Sequence, residues 1–171
     1  MKMVTPNRKL EETLWRQGHE LVAGMDEVGR GCLAGPLTVA AVALPRRYRG
    51  KGIRDSKWLT SKERSLTAFR IRASAVVIGI GWASHREIDE LGLTAALGLA
   101  GERALSRLPG GAAIILDGKH NYLNDAYAVT TQIKADQTCL AAAAASVIAK
   151  VARDRYMELI DRLHPGYGFS S

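Results

Sequence analysis

Two apolar runs, ELVAGMDEV (20–28) and GPLTVAAVAL (35–44), stand on either side of a short glycine-rich stretch, GRGCLA. Apolar runs of this length bounded by turn residues read as buried strands, and two in succession predict a hairpin. Strands this apolar need cover on both faces, and the rest of the chain offers it. TPNRKLEETLWRQG reads as a helix with Thr5 as N-cap, Pro6 in the first position, Leu10 and Leu14 on one face and Gly18 at its end. SKERSLTAFRIRA has helical character and SAVVIGIGWAS is strand-like. HREIDELGLTAALGLAGERALSRL reads as one helix with Ile88, Leu91 and Ala95 on a common face. AAIILDG is a short buried strand ending on Asp117, and AYAVTTQIKAD a strand ending on Asp136. A single long helix is predicted from Thr138 to Leu163, small-residue-rich first, charged later, and stopped by HPG. Its alanines let it lie close on a sheet, with Ser146 internal. A hairpin followed by alternating helices and strands defines an α/β fold, a mixed β-sheet flanked by α-helices in one domain, 1–171.

Charge narrows the partners. Lys and Arg outnumber Asp and Glu by 24 to 17, a formal net charge of +7. That balance favours a polyanion, foremost nucleic acid, and PRRYRGKGIRDSK gathers Arg46, Arg47, Arg49, Lys51, Arg54 and Lys57 in one loop. Arg46, Arg47 and Arg49 are candidates for phosphate contacts. No apolar run reaches membrane-spanning length, and the N-terminus has no signal-type apolar region. Cys32 and Cys139 are far apart, in no metal-type spacing, and read as reduced thiols of a cytoplasmic protein.

Chemistry collects at strand ends. Asp26-Glu27, Asp117 and Asp136 each close an apolar run, and loops beyond such ends carry function without disturbing a core. Carboxylates brought together repel, and burial raises their pKa values unless a cation compensates. Oxygen ligands without His or Cys suit Mg²⁺ or Mn²⁺. Two such ions are the usual machinery for hydrolysing a phosphodiester. Separate turn and cap roles for these acids are the bland alternative. Neighbouring strand residues point to opposite faces, so Asp26 and Glu27 cannot both project directly into one site; Asp26 is the safer metal ligand, and Glu27 needs a bend or acts from the edge of the site. Gly29 and Gly31 strip side chains from both sides of Arg30, either for a tight turn or so that exposed peptide groups can read a ribose 2′-hydroxyl. Lys57 can hold a phosphate, and Asp55 can cap the turn it opens. HREIDE reads as a capped helix start. Lys150 and Arg153 can pair locally with Asp154 or turn toward the acids.

In order and spacing, AGMDEVGRGCLAGP, DSKWLT, EID, ILDG, KAD and AAAAASVIAKVARDR resemble bacterial ribonuclease HII from about Leu21 onward. The resemblance implies a ribonuclease H-like fold and a metal-dependent endonuclease. Its substrates would be the RNA strand of RNA–DNA hybrids and single ribonucleotides embedded in duplex DNA, cut 5′ to the ribonucleotide to leave a 3′-hydroxyl and a 5′-phosphate. It implies catalytic, metal-holding roles for Asp26, Glu27, Asp117 and Asp136, with two Mn²⁺ or Mg²⁺ ions. Gly29, Arg30 and Gly31 would read the 2′-hydroxyl, and Lys57 would lie by the phosphates. A monomer acting in the cytoplasm is expected. Two departures stand out. Trp58 and Thr60 replace the Lys and Ser of the family's DSKKLS, and the family continues past HPGYGF through His-Lys-Gly-Tyr whereas this sequence stops at Ser171. A partial chain lacking a stacking tyrosine is therefore expected. A nucleic-acid-binding module with structural acids, or a DNA-directed nuclease of the same superfamily, are the alternatives.

Overall fold

The computed structural model describes residues 5–50 and 52–170, so Lys51 of the basic loop and the first four residues of the N-terminus lie outside the described residues. The predicted hairpin is present. β1 (Val22–Val28) pairs antiparallel with β2 (Leu37–Ala43), and β2 pairs antiparallel with the edge strand β3 (Val77–Ala83). On its other side β1 pairs parallel with β4 (Ala113–Asp117), which pairs parallel with β5 (Ala128–Gln132). The order β3-β2-β1-β4-β5 makes a mixed five-stranded sheet with β1 at its centre. The α/β expectation holds.

Alternation along β1 distributes the cover. Ala23 and Met25 join Val39, Ala41, Ile114 and Leu116 in a core closed by Ala96, Leu97, Ala100 and Ala104 of α4 (Leu93–Leu105). The opposite face of the sheet carries α6 (Leu140–Leu163), whose Ala143–Ala145, Val147 and Ile148 pack on Ala40 and Val42. α2 (Ser61–Ser74) packs beside α6 through Ala68 and Ile71, and its start is fixed by a reciprocal Thr60–Glu63 capping box. Glycine is required where α6 crosses β1, because a Cβ at Gly24 would lie 2.1 Å from the backbone of Ala141 and Ala142. The alanine run therefore does what its composition suggested. It brings α6 onto the sheet at a separation that larger side chains would forbid.

Four boundaries differ from the sequence reading. α1 spans Lys9–Arg16 and does not start at Pro6. Asn7 is held in extended conformation by bonding to Thr138 and Leu140 on both sides, and its side chain accepts from Lys9 N at 3.0 Å. The long helix read over 85–108 is two, α3 (His85–Leu91) and α4, split where Gly92 turns to φ +78°. Leu91 and Ala95 consequently face out, and α4 buries Ala96, Leu97, Ala100 and Ala104 instead. Asp136 does not end a strand. β5 stops at Gln132, Lys134 adopts the left-handed region at φ +57°, and Asp136 stands in the first turn of α5 (Ala135–Thr138). Extended Cys139 then separates α5 from α6, so the helix read from Thr138 begins at Leu140. Both cysteines are free, but Cys32 is exposed and only Cys139 is buried. No helix of the described residues is long and apolar enough to cross a membrane.

Candidate metal centre

The register explains how two acids distant in sequence meet. Met25 is paired with Leu116, which sets Asp26 beside Asp117 one residue further along two parallel strands. Met25 and Leu116 both point into the α4-side core, so Asp26 and Asp117 share the α6 side. The chain then returns through β5, and Asp117 Oδ1 accepts a 2.6 Å hydrogen bond from Ala135 N, which pins the first turn of α5 against the end of β4. Asp136, the next residue, completes the group. Each of Asp26, Asp117 and Asp136 offers a carboxylate oxygen within 4.8 Å of the others.

Burial and mutual repulsion shape their chemistry. The Asp26 carboxyl is pushed well above the usual range by burial, then by the charges of Asp117 and Glu27, with a hydrogen bond from Ser146 opposing the shift. Asp117 is raised by burial, which outweighs the backbone N–H groups of Ala135 and Asp136. Asp136 is pushed up to about 6 by burial and by Asp117 and Asp55, with Lys57 opposing. Three carboxyls held this close, each with its pKa raised by burial, are a poor structural arrangement in water and a good one around a hard cation. The donor set, all carboxylate oxygen and without His or Cys, suits a divalent ion of the Mg²⁺ or Mn²⁺ type.

Glu27 stands apart, as strand alternation requires. Its Oε1 lies 3.6 Å from Arg30 Nη1, and its buried Oε2 has no hydrogen-bond partner. Burial raises its pKa despite Arg30. The buried Tyr122 hydroxyl is likewise unpartnered, and the charges of Glu27, Asp26 and Asp117 add to burial in raising its pKa. Lys57 comes to the rim, its Nζ 3.5 Å from Asp136 Oδ2. Burial works against the Lys57 charge, but Asp55, Asp136 and Asp26 outweigh it and hold the ammonium above its ordinary range.

The loop bearing Lys57 is anchored by residues that sequence reasoning left as caps or interior. Asp55 accepts from Lys57 N at 3.0 Å, capping the short 3₁₀ turn Ser56–Trp58, and its other oxygen accepts from Gln137 Nε2 at 3.5 Å. Ser56 Oγ lies 3.0 Å from Ser146 Oγ. Ser146 thus links the Lys57 loop to Asp26 through one hydroxyl. Nothing but its place in an alanine run marked it in the sequence, and Gln137 and Tyr122 carried no signal beyond nearness to Asp136 and Asp117.

Gly29 takes φ +105° and its carbonyl accepts from Cys32 N at 3.1 Å, closing a turn that leaves Arg30 and Gly31 exposed. A Cβ at Gly31 would meet nothing within 4 Å. Arg46, Arg47 and Arg49 are also exposed, but they follow β2, whose last residue pairs with Ala23. They lie beyond the end of that strand opposite to the glycine-rich turn. Arg46 stacks its guanidinium 5.4 Å from the centre of the Trp15 ring and donates to His19 O. Of the acids of HREIDE, Glu87 caps: it forms a capping box with Ser84, and Arg103 pairs with it at 2.7 Å, holding its carboxyl down at about 2. Lys150 pairs with Asp154 at 2.6 Å, whereas Arg153 turns to the glycine-rich loop and not to the acids.

A mixed sheet that brings Asp26 and Asp117 from its central strands, and Asp136 from α5, to one hard-cation site in a basic chain has the geometry of a metal-dependent polynucleotide hydrolase. The comparisons agree. The family model of ribonuclease HII matches residues 23–171. Ribonuclease HII of Streptomyces avermitilis is 48% identical over 168 residues, covering 98% of this chain and 71% of that protein. Among solved structures, the PCNA:RNase HII complex from Archaeoglobus fulgidus aligns with TM-score 0.76 and 29% identity over 86% of this chain and 80% of the other. Bst-RNase HIII in complex with Mn²⁺ aligns with TM-score 0.71 and 26% identity, over 85% of this chain and 56% of that one. The chain belongs to the ribonuclease HII family and is an endoribonuclease of the ribonuclease H type.

Proposed function

We propose that this chain cuts the RNA strand of RNA–DNA hybrids and duplex DNA at single embedded ribonucleotides, 5′ to the ribonucleotide, leaving a 3′-hydroxyl and a 5′-phosphate. Asp26, Asp117 and Asp136 would hold the divalent cations, Mn²⁺ or Mg²⁺, two during the reaction. When bound, such ions activate the attacking water and stabilise the leaving oxygen of a phosphodiester. The observation carrying the reading is the triad of two buried carboxylates and one half-buried, with oxygens within 4.8 Å of one another. The chain's own groups divide the remaining work. The Lys57 ammonium, at the rim beside Asp136, neutralises and orients a phosphate of the cleaved strand. Glu27, one face away and paired with Arg30, works from the edge of the site, keeping Arg30 and the turn of Gly29 to Gly31 beside the reacting linkage. The exposed peptide groups of that turn give and accept hydrogen bonds as a 2′-hydroxyl demands. Arg47 and Arg49 would meet a duplex only where it extends past the far end of β2. Mn²⁺ titration and cleavage of a duplex with one ribonucleotide test the reading together. Wild type should bind the ion and cut, and Asp26→Asn should lose both. Cleavage retained by Asp26→Asn would refute it.

A further inference from the structure

Arg153 is a buried cation on α6, 6% exposed, that the metal centre does not use. Its Nε donates to Pro36 O at 3.0 Å and its Nη2 to Ala34 O at 2.8 Å. Both acceptors belong to the returning half of the glycine-rich loop. The departing half touches the same side chain, since a Cβ on Gly29 would lie 2.8 Å from Arg153 Nε, and one on Gly35 3.2 Å from Arg153 Nη2. The guanidinium thus fills the mouth between the two arms of the hairpin, in the space their missing side chains vacate. It comes from the helix that also carries Ser146, the hydrogen-bond partner of Asp26. One rigid element therefore touches the metal centre at position 146 and the loop at position 153, two helical turns apart.

We propose that Arg153 is a positioning residue for ribonucleotide recognition, fixing the height of the Gly29–Gly31 turn over the carboxylates so that the linkage it holds meets the metal centre. This rests on the reading that the turn recognises the ribonucleotide. The chemistry of the side chain supports it. A guanidinium offers several donors in a rigid plane and bridges two carbonyls at fixed spacing, whereas an ammonium is a single point of attachment. A buried cation satisfied by main-chain carbonyls holds those carbonyls as firmly as they hold it. Gly29 is then glycine for two reasons, its left-handed backbone and the room it leaves for Arg153.

The test is single-turnover cleavage of a duplex carrying one ribonucleotide, in Mn²⁺, by the whole chain as wild type, R153K, R153Q and G31A. Each variant is also titrated with Mn²⁺ alone and compared on the all-DNA duplex. An ångström of misplacement at the reacting atoms costs about a hundredfold in rate, so R153Q should fall by about that factor. R153K should recover part of the loss, and Mn²⁺ affinity should stay at the wild-type value in both. If R153Q does not fold, R153K decides, with cleavage slowed and Mn²⁺ affinity kept. Wild-type rates in R153K and R153Q, or losses of rate matched by equal losses of Mn²⁺ affinity, would overturn the proposal. G31A separates it from the reading beneath. Its added methyl meets no protein atom within 4 Å, so a preference for the ribonucleotide that G31A leaves intact would remove the turn, and Arg153 with it, from recognition. A preference lost in G31A but kept at full rate in both Arg153 variants would remove Arg153 alone.

Discussion

Replacing Asp136 by Asn should stabilise the metal-free protein while abolishing its reaction. The Asp136 carboxyl is displaced from an ordinary value of 3.8 to about 6, because burial and the charges of Asp117 and Asp55 outweigh Lys57. Since the folded value lies above the unfolded one, the stability this group contributes is complete below pH 4 and is lost as pH rises through 6. A displacement of about two units corresponds to about 3 kcal/mol of penalty at pH 7.5. That figure is a ceiling, because Asp117 shares in the repulsion and the neutral amide forgoes the attraction of Lys57. For a chain of this size each kcal/mol moves the melting temperature by about 2–4 °C. In chelator at pH 7.5, Asp136→Asn should therefore melt several degrees above wild type, and the gap should close toward pH 4. Mn²⁺ at about a thousand times its Kd should reverse the order, since an ion at that excess adds about 4.1 kcal/mol to the protein that binds it. Thermal melts across pH, with and without Mn²⁺, measure all of this. A variant that melts at or below wild type in chelator at pH 7.5, or a gap indifferent to pH, would refute the reasoning.

Asp26→Asn should leave duplex binding near wild type in a filter or anisotropy assay while eliminating cleavage, because the carboxylate serves the ion and not the phosphates. Lys57→Ala should weaken substrate use with Mn²⁺ affinity retained, and, its side chain being largely exposed, should change stability by less than about 1 kcal/mol. Ser146→Ala leaves the Ser56 hydroxyl and Asp26 short of a partner and should cost about 1–3 kcal/mol in denaturant unfolding. Gly24→Ala drives a methyl into the α6 backbone, 2.1 Å from Ala141 and Ala142, and should destabilise by about 3 kcal/mol or more, since a helix held on both sides cannot yield.

The hairpin, the buried strand ending on Asp117 and the close-packed alanine helix were legible because each is set by local pattern. Period-two alternation sets Asp26 and Glu27 on opposite faces, which stands against the metal role that the resemblance implies for Glu27; the structure gathers Asp26 with Asp117 and Asp136 while Glu27 pairs with Arg30. What the pattern could not convey was backbone geometry without punctuation. Lys134 turns left-handed where a glycine would have announced it, which hides the end of β5 and gives Asp136 the sequence pattern of a strand instead of a helix start. At Gly92 the punctuation was present but lay inside an otherwise continuous apolar helical pattern, which concealed the break. Asn7 pairs with Cys139 across the fold, a tertiary bond that local capping signals at Thr5 and Pro6 cannot foresee. The roles of Ser146 and Arg153 are tertiary in the same sense. Both sit on one helix, and their meaning comes from what the sheet brings beneath it.

One carboxylate centre and one glycine-rich turn together should make a ribonucleotide-dependent cut. Cleavage of two duplexes of identical sequence, one all-DNA and one with a single ribonucleotide, tests it directly for wild type and Asp117→Asn in Mn²⁺. One cut is expected, 5′ to the ribonucleotide, with a 3′-hydroxyl and a 5′-phosphate at the new ends, no product from the all-DNA duplex, and no product from Asp117→Asn. Equal cutting of both duplexes, or undiminished cutting by Asp117→Asn, would contradict it.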